Sequence, residues 1–143
     1  MLHGSCLCGG INYEVDITDE AAEATSICHC RLCRKITSGT TSLNLVVPSS
    51  SFKLTKGTLK TVDATHFDEG FDITLAFCGN CGSAIHVVAH LGESTAGKCI
   101  VQVGSLDDVG PLEAAPPVEL NVKRRPAWVG PVKGAEQRMG YAP

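Results

Sequence analysis

With 143 residues, the chain is long enough for one domain with its own core, and 43% hydrophobic against 19% charged residues is an ordinary globular balance. A formal net charge of −3 and a pI near 5.9 argue against nucleic-acid and anionic-membrane partners. No apolar run approaches the ~18 residues of a membrane span, and Met1-Leu2-His3-Gly4-Ser5-Cys6 shows no signal-peptide pattern, so an intracellular, cytoplasmic protein is expected.

Taken in order, the chain reads as short strands between polar turns. Cys6-Leu7-Cys8 is followed by Gly9 and Gly10, which allow a tight turn into Ile11–Ile17, where apolar and polar residues alternate as in a half-buried strand. Asp19 to Thr25 is acidic and alanine-rich, a surface connection or one helical turn. A second alternation sets Leu43, Leu45 and Val47 against Ser42, Asn44 and Val46, and Pro48 with Ser49–Ser51 ends it. Phe52-Lys53-Leu54 opens another short strand before Gly57, and Leu59–Thr65 is a weaker one. Phe71, Ile73, Leu75 and Phe77 define one face of the clearest strand, which runs straight into Cys78. Ala84–Val88 returns as its hairpin partner, and Lys98–Val103 forms one more strand. Six prolines from Pro111 to Pro143 forbid a long helix in the tail. Val118–Lys123 is expected as a final edge strand, with Trp128 pinning the tail to the core.

Eight cysteines need an explanation, and their grouping favours metal knuckles over disulfides, which usually lie farther apart. Cys28-His29-Cys30-Arg31-Leu32-Cys33 puts three thiols within six residues. Neighbouring positions diverge on any regular element, so a shared point of attraction is needed, and a soft divalent metal supplies one. A structural zinc site wants four protein ligands, whereas three thiolates with a vacancy is the pattern of a reactive zinc. Such a centre carries a net negative charge and polarises a carbonyl poorly. It suits holding an incoming thiol as thiolate near neutral pH.

Gly4-Ser5-Cys6-Leu7-Cys8-Gly9, Tyr13-Glu14, Cys28 through Lys35 and Phe77-Cys78-Gly79-Asn80-Cys81-Gly82-Ser83 together resemble the signature of the glutathione-dependent formaldehyde-activating enzyme family, whose domain is shared with centromere protein V. The likeness runs from Gly4 through Gly104-Ser105-Leu106-Asp107 and weakly on to Arg125-Pro126-Ala127-Trp128. It implies a mainly β fold of the β-tent kind, antiparallel sheets around zinc-binding knuckles. On this reading 1–143 is one zinc-binding domain, with a core over about 4–107 and a proline-rich tail over about 108–143. The resemblance also implies two zinc ions per chain. Cys6, Cys8, Cys78 and Cys81 would hold a closed structural zinc, and Cys28, Cys30 and Cys33 an open catalytic one. A rival division, one zinc with three cysteines left for redox chemistry, stays open on spacing alone.

The implied activity is that of a carbon–sulfur lyase forming or cleaving S-(hydroxymethyl)glutathione from glutathione, a small-molecule thiol, and formaldehyde, a small electrophile. The alternative is a non-catalytic zinc-binding protein-interaction module, since fold does not fix function. Arg31, Arg34 and Lys35 read either as contacts to the thiol substrate's carboxylates or as a solvated basic turn. Lys123-Arg124-Arg125 reads as a solvated edge, with contact to an anionic ligand as the alternative. His29 is expected to hydrogen-bond behind the ligands or to point away, His86 and His90 to be structural or surface residues, and Cys99 to be a buried small hydrophobe.

Overall fold

Residues 1–18 and 24–143 are described by the computed structural model of the chain. Of the stretch Asp19–Thr25, expected as a connection or helical turn, 19–23 lie outside the described residues. Eleven strands occur among the described residues: β1 (Leu2–Ser5), β2 (Asn12–Val15), β3 (Ser26–Cys28), β4 (Ser42–Pro48), β5 (Phe52–Lys56), β6 (Leu59–Thr65), β7 (Asp72–Cys78), β8 (Ala84–His90), β9 (Lys98–Gln102), β10 (Val118–Leu120) and β11 (Glu136–Gln137). Two short helices, α1 (Arg31–Thr37) and α2 (Gly110–Glu113), complete the regular structure with four single 3-10 turns. The fold is mainly β, as the sequence implies. Among the described residues no helix is long and apolar enough to cross a membrane.

The strands form a three-stranded sheet, β1-β2-β5, and an eight-stranded sheet in the order β11-β10-β3-β4-β9-β8-β7-β6. Most pairings are antiparallel between neighbours in sequence, but β10 runs parallel to both β3 and β11. The large sheet is therefore mixed within the mainly antiparallel arrangement expected, and the expectation of a final edge strand needs correction. Val118–Leu120 is flanked on both sides, because the tail turns back and adds β11 outside it.

Both faces of the large sheet are covered, and this decides where the site lies. On one face the small sheet contributes Leu2, Tyr13 and Val15 against Leu45, Val47, Ile85, Cys99 and Val101. Complete burial of a Val or Ile side chain here is worth about 1.5–3 kcal/mol relative to exposure. Gly4 is required at this interface, since a Cβ there would lie 2.1 Å from the Tyr13 ring. On the opposite face, α1 and the three-cysteine run pack Cys28, Cys30 and Leu32 against Ile73 and Val87.

This second layer explains why simple alternation misses part of β4. Ser42 and Asn44, read as the solvent face, are buried. They satisfy each other instead, with Asn44 Nδ2 donating to Ser42 Oγ at 2.9 Å and Gln102 Nε2 donating to Asn44 Oδ1 at 3.0 Å. In the β7–β8 hairpin the register shifts between Ala76 and Phe77. That bulge leaves Ile85 in the small-sheet core while Val87 packs on the other side, as an extra residue in one strand requires. Cys99 is buried as expected, and His86 packs edge-on to Phe52 with centroids 4.8 Å apart. Trp128 corrects the sequence reading: it is 79% exposed and pins nothing.

Candidate metal centres

The first cluster unites two tight turns from distant parts of the chain. Gly9 N–H donates to the Cys6 carbonyl at 3.0 Å, and Gly82 N–H to the Cys78 carbonyl at 2.8 Å. Both glycines sit at positive φ, +75° and +79°, where a side chain would be strained. The turns bring the sulfurs of Cys6, Cys8, Cys78 and Cys81 within 4.8 Å of one another. Cys6 and Cys8 Sγ are 3.6 Å apart, and Cys8 and Cys78 Sγ 3.8 Å. Tetrahedral zinc with Zn–S near 2.3 Å needs sulfurs about 3.8 Å apart, so these four thiols fit such an ion. Ile11 N–H points at Cys6 Sγ from 3.2 Å. The Ser83 hydroxyl and its backbone N–H hold the Cys81 thiol down at about 5, favouring the thiolate a metal needs.

The second cluster comes from one short segment. Cys28 ends β3, and Cys30 is the N-cap of α1, its Sγ accepting the Cys33 N–H at 3.3 Å. The cap turns the chain so that Cys33, in the first helical turn, faces back toward the other two. All three sulfurs lie within 4.8 Å of one another. Their proton affinities diverge accordingly. Hydrogen bonds from Cys28 and then Cys33 hold the Cys30 thiol far below its ordinary value. Sharing a hydrogen bond with Cys30 first, and burial after it, pushes Cys28 up to about 11, and Cys33 is pushed up by both neighbours and by burial. Three thiols this close accommodate one negative charge and resist a second, so full ionisation calls for a cation among them. The donor set fits a soft divalent metal. All eight cysteines are free thiols, so the disulfide alternative is not realised.

Groups from the far end of the chain surround this second cluster. Asn121, in the left-handed region at φ 55°, donates its amide to Cys28 Sγ at 3.3 Å. His66 is 2% exposed, and its Nδ1 accepts the N–H groups of Asp68 and Glu69, each at 3.1 Å. Its proton therefore sits on Nε2, which donates to the Tyr141 hydroxyl at 2.9 Å. That hydroxyl is left to donate its own proton to Cys30 Sγ, 3.7 Å away. His29 lies between two of the thiols in sequence but faces away from them, hydrogen-bonded through Nε2 to buried Glu119 at 2.8 Å.

Glu119 joins the tail to this region. Its carboxylate also accepts from Val132 N–H at 2.8 Å, Gln137 Nε2 at 2.6 Å and Arg125 Nη2 at 3.2 Å. Burial pushes its carboxyl up, but Gln137, His29, Val132 and Arg125 together outweigh that and hold it at about 2. The sequence carried no signal for Glu119, Asn121, His66 or Tyr141, because each reaches the site across more than thirty intervening residues and none sits in a motif. The basic groups are partly committed. Arg31 grips Asp68, with Nη2–Oδ1 at 2.7 Å, and Arg124 reaches the same oxygen at 2.9 Å. Among the described residues Arg34 and Lys35 form no ion pair. Lys123-Arg124-Arg125 is therefore not a purely solvated edge.

The two clusters differ in what lies beside them. Cys28 and Cys33 line a cavity of about 200 Å³ between α1 and the large sheet, with Tyr141 at its edge. Along the chain, residues 1–124 match the family model described as glutathione-dependent formaldehyde-activating enzyme. Among solved structures, a crystal structure of a Rhodobacter sphaeroides protein, determined as a Northeast Structural Genomics target, superposes with a TM-score of 0.58 at 21% identity. The alignment covers 78% of this chain and 93% of that one, a likeness of fold. No curated protein matches the chain.

Proposed function

The chain belongs to the glutathione-dependent formaldehyde-activating enzyme family, and from that membership we propose that it is a zinc-dependent enzyme of the carbon–sulfur lyase type. Its reaction is formation or cleavage of a thiol adduct, such as S-(hydroxymethyl)glutathione from glutathione and formaldehyde. In this reading Cys6, Cys8, Cys78 and Cys81 hold a structural zinc, and Cys28, Cys30 and Cys33 a catalytic one. The observation that carries it is the contrast between a complete four-thiol cluster and a three-thiol cluster opening on a cavity. A non-catalytic module would leave that cavity without a role.

Cys28, Cys30 and Cys33 would hold the zinc, and its positive charge would let a substrate thiol ionise near neutral pH. The chain's own groups do the rest. Asn121 and Tyr141 fix the orientation of the Cys28 and Cys30 sulfurs through their hydrogen bonds. The apolar walls exclude bulk water from the reacting atoms. Arg34 and Lys35, without ion pairs among the described residues, are available to the carboxylates of a peptide thiol, whereas Arg31 must first release Asp68. In the bond-forming direction the substrate sulfur attacks the carbonyl carbon, the π pair moves to oxygen, and that oxygen takes up a proton. Eight free thiols suit a reducing compartment, so a cytoplasmic site of action is part of the proposal, as is one domain spanning 1–143.

Calorimetric titration of the zinc-loaded protein with glutathione, in buffers of different ionisation enthalpy, tests this reading. Binding should release about one proton. Absence of both heat and proton release at millimolar glutathione would remove the enzyme reading's support.

A further inference from the structure

The cavity beside Cys28 and Cys33 is a poor match to formaldehyde, which has no substituent to place in it. Its volume is about 200 Å³, and an apolar protein cavity of about 150 Å³ is enough to take up benzene. Ile73, Val87, Ala89, Ile100 and Leu120 contribute to its apolar surface, and among the described residues no charged side chain lines it. Most of its polar members are already engaged: Asn44 with Ser42 and Gln102, Thr95 with the Leu91 N–H, and Tyr141 with His66 and Cys30. A zwitterionic peptide such as glutathione gains nothing by entering, because its charges would be stripped of water without a partner.

We infer that this cavity receives an apolar, ring-sized substituent on the carbonyl partner, so that the adduct is the hemithioacetal of an apolar aldehyde. The inference rests on the thiol-adduct reading of the three-cysteine cluster given above. The thiol lies with its sulfur at the cluster and its charged remainder outside, and the aldehyde carbon meets that sulfur with its substituent in the cavity. Carbon–sulfur bond formation sends the carbonyl π pair to oxygen, which acquires the proton lost by the thiol, and no redox partner is needed. Apolar surface removed from water then adds to affinity for the aldehyde in proportion to its size.

The test separates this inference from the reading beneath it. Zinc-loaded protein with labelled methyl groups is titrated with benzyl alcohol, an unreactive analogue of benzaldehyde, and with methanol. The Ile73, Val87 and Ile100 methyl signals should shift saturably with benzyl alcohol alone, while Val15 and Ile85, in the opposite core, stay still. Ala89→Leu and, independently, Val46→Leu should each weaken that binding by about tenfold, since each fills part of the cavity. With glutathione as thiol, kcat/KM for benzaldehyde should exceed that for formaldehyde by about tenfold or more. Still methyl signals in folded protein, or no preference for benzaldehyde, would overturn the inference. If glutathione releases its proton yet the methyls do not move, only the apolar pocket falls. If the methyls move yet glutathione does not bind, the pocket stands and the glutathione reading falls.

Discussion

Glu119→Gln is the most informative single change outside the cysteines. The native carboxylate accepts from His29 through one oxygen, and from Arg125, Val132 N–H and Gln137 through the other. A glutamine keeps one acceptor, so its amino group must face either the imidazole or the cluster of three donors. It also leaves Arg125, whose side chain is 17% exposed, without its counter-charge. Two routes give the size of the effect. A carboxyl with ordinary value 4.5 that sits at about 2 in the fold favours folding by about 3 kcal/mol in its ionised form. Breaking a buried, hydrogen-bonded ion pair by removing one partner costs about 3–5 kcal/mol. Urea denaturation followed by far-ultraviolet circular dichroism should therefore show Glu119→Gln less stable by about 3 kcal/mol at neutral pH. The sign of the pH dependence follows from the lowered value. The carboxylate's contribution is fully present above its unfolded value of 4.5 and is lost as pH falls through about 2. The gap between native and variant should thus be equal at pH 7 and pH 5 and shrink by pH 3, about midway through that window. Metal loss on acidification affects both proteins and cancels in the difference. A gap under about 1 kcal/mol, or one unchanged at pH 3, would refute the reasoning.

Metal analysis of native protein should return two zinc ions per chain, and an iron–sulfur spectrum or a single zinc would break the proposed division of the cysteines. Cys78→Ser or Cys81→Ser should lower thermal stability severely, because ion binding there ties turns some seventy residues apart. Cys30→Ser or Cys33→Ser should instead remove one metal with the fold largely retained, as melting and metal content together would show. Tyr141→Phe deletes the hydrogen bond to Cys30 and should weaken metal retention at that cluster by about 10–100-fold in chelator competition, with little change at the other. Trp128→Ala should change stability by less than about 0.5 kcal/mol in the same denaturation assay, since the ring is exposed.

Local pattern carried most of the strands. Leu59–Thr65 and the run Phe71–Phe77 are read from alternation and turn residues alone, and both appear with nearly those bounds. The cysteine groups were legible for the same reason, since each knuckle is a short-range motif. What alternation could not show is that the large sheet is covered twice. Ser42 and Asn44 look like a solvent face until α1 is known to lie above them, and only tertiary packing supplies that fact. The tail was least legible. Its strand β10 is three residues long and pairs in parallel with β3 across about ninety positions, a distance at which periodicity carries no information. Trp128 misled for a related reason, because a large aromatic residue is usually buried but is not obliged to be.

The parallel pairing of β3 with β10 also sets an order of events during synthesis. Cys28, Cys30 and Cys33 leave the ribosome long before Val118–Leu120, Asn121 and Tyr141, which finally enclose them. At about 5–20 residues per second, the gap is on the order of ten seconds. For that time the thiols can be grouped by α1 and β4 while one side stays open to solvent, and a metal ion has its freest path to them. Nascent chains arrested just before Val118 should accordingly expose Cys28 and Cys30 to maleimide in the absence of metal, whereas chains extended beyond Tyr141 bury them. Access to this centre is thus governed by the calendar of translation as well as by the finished architecture, and residues made some ninety positions later narrow the way in.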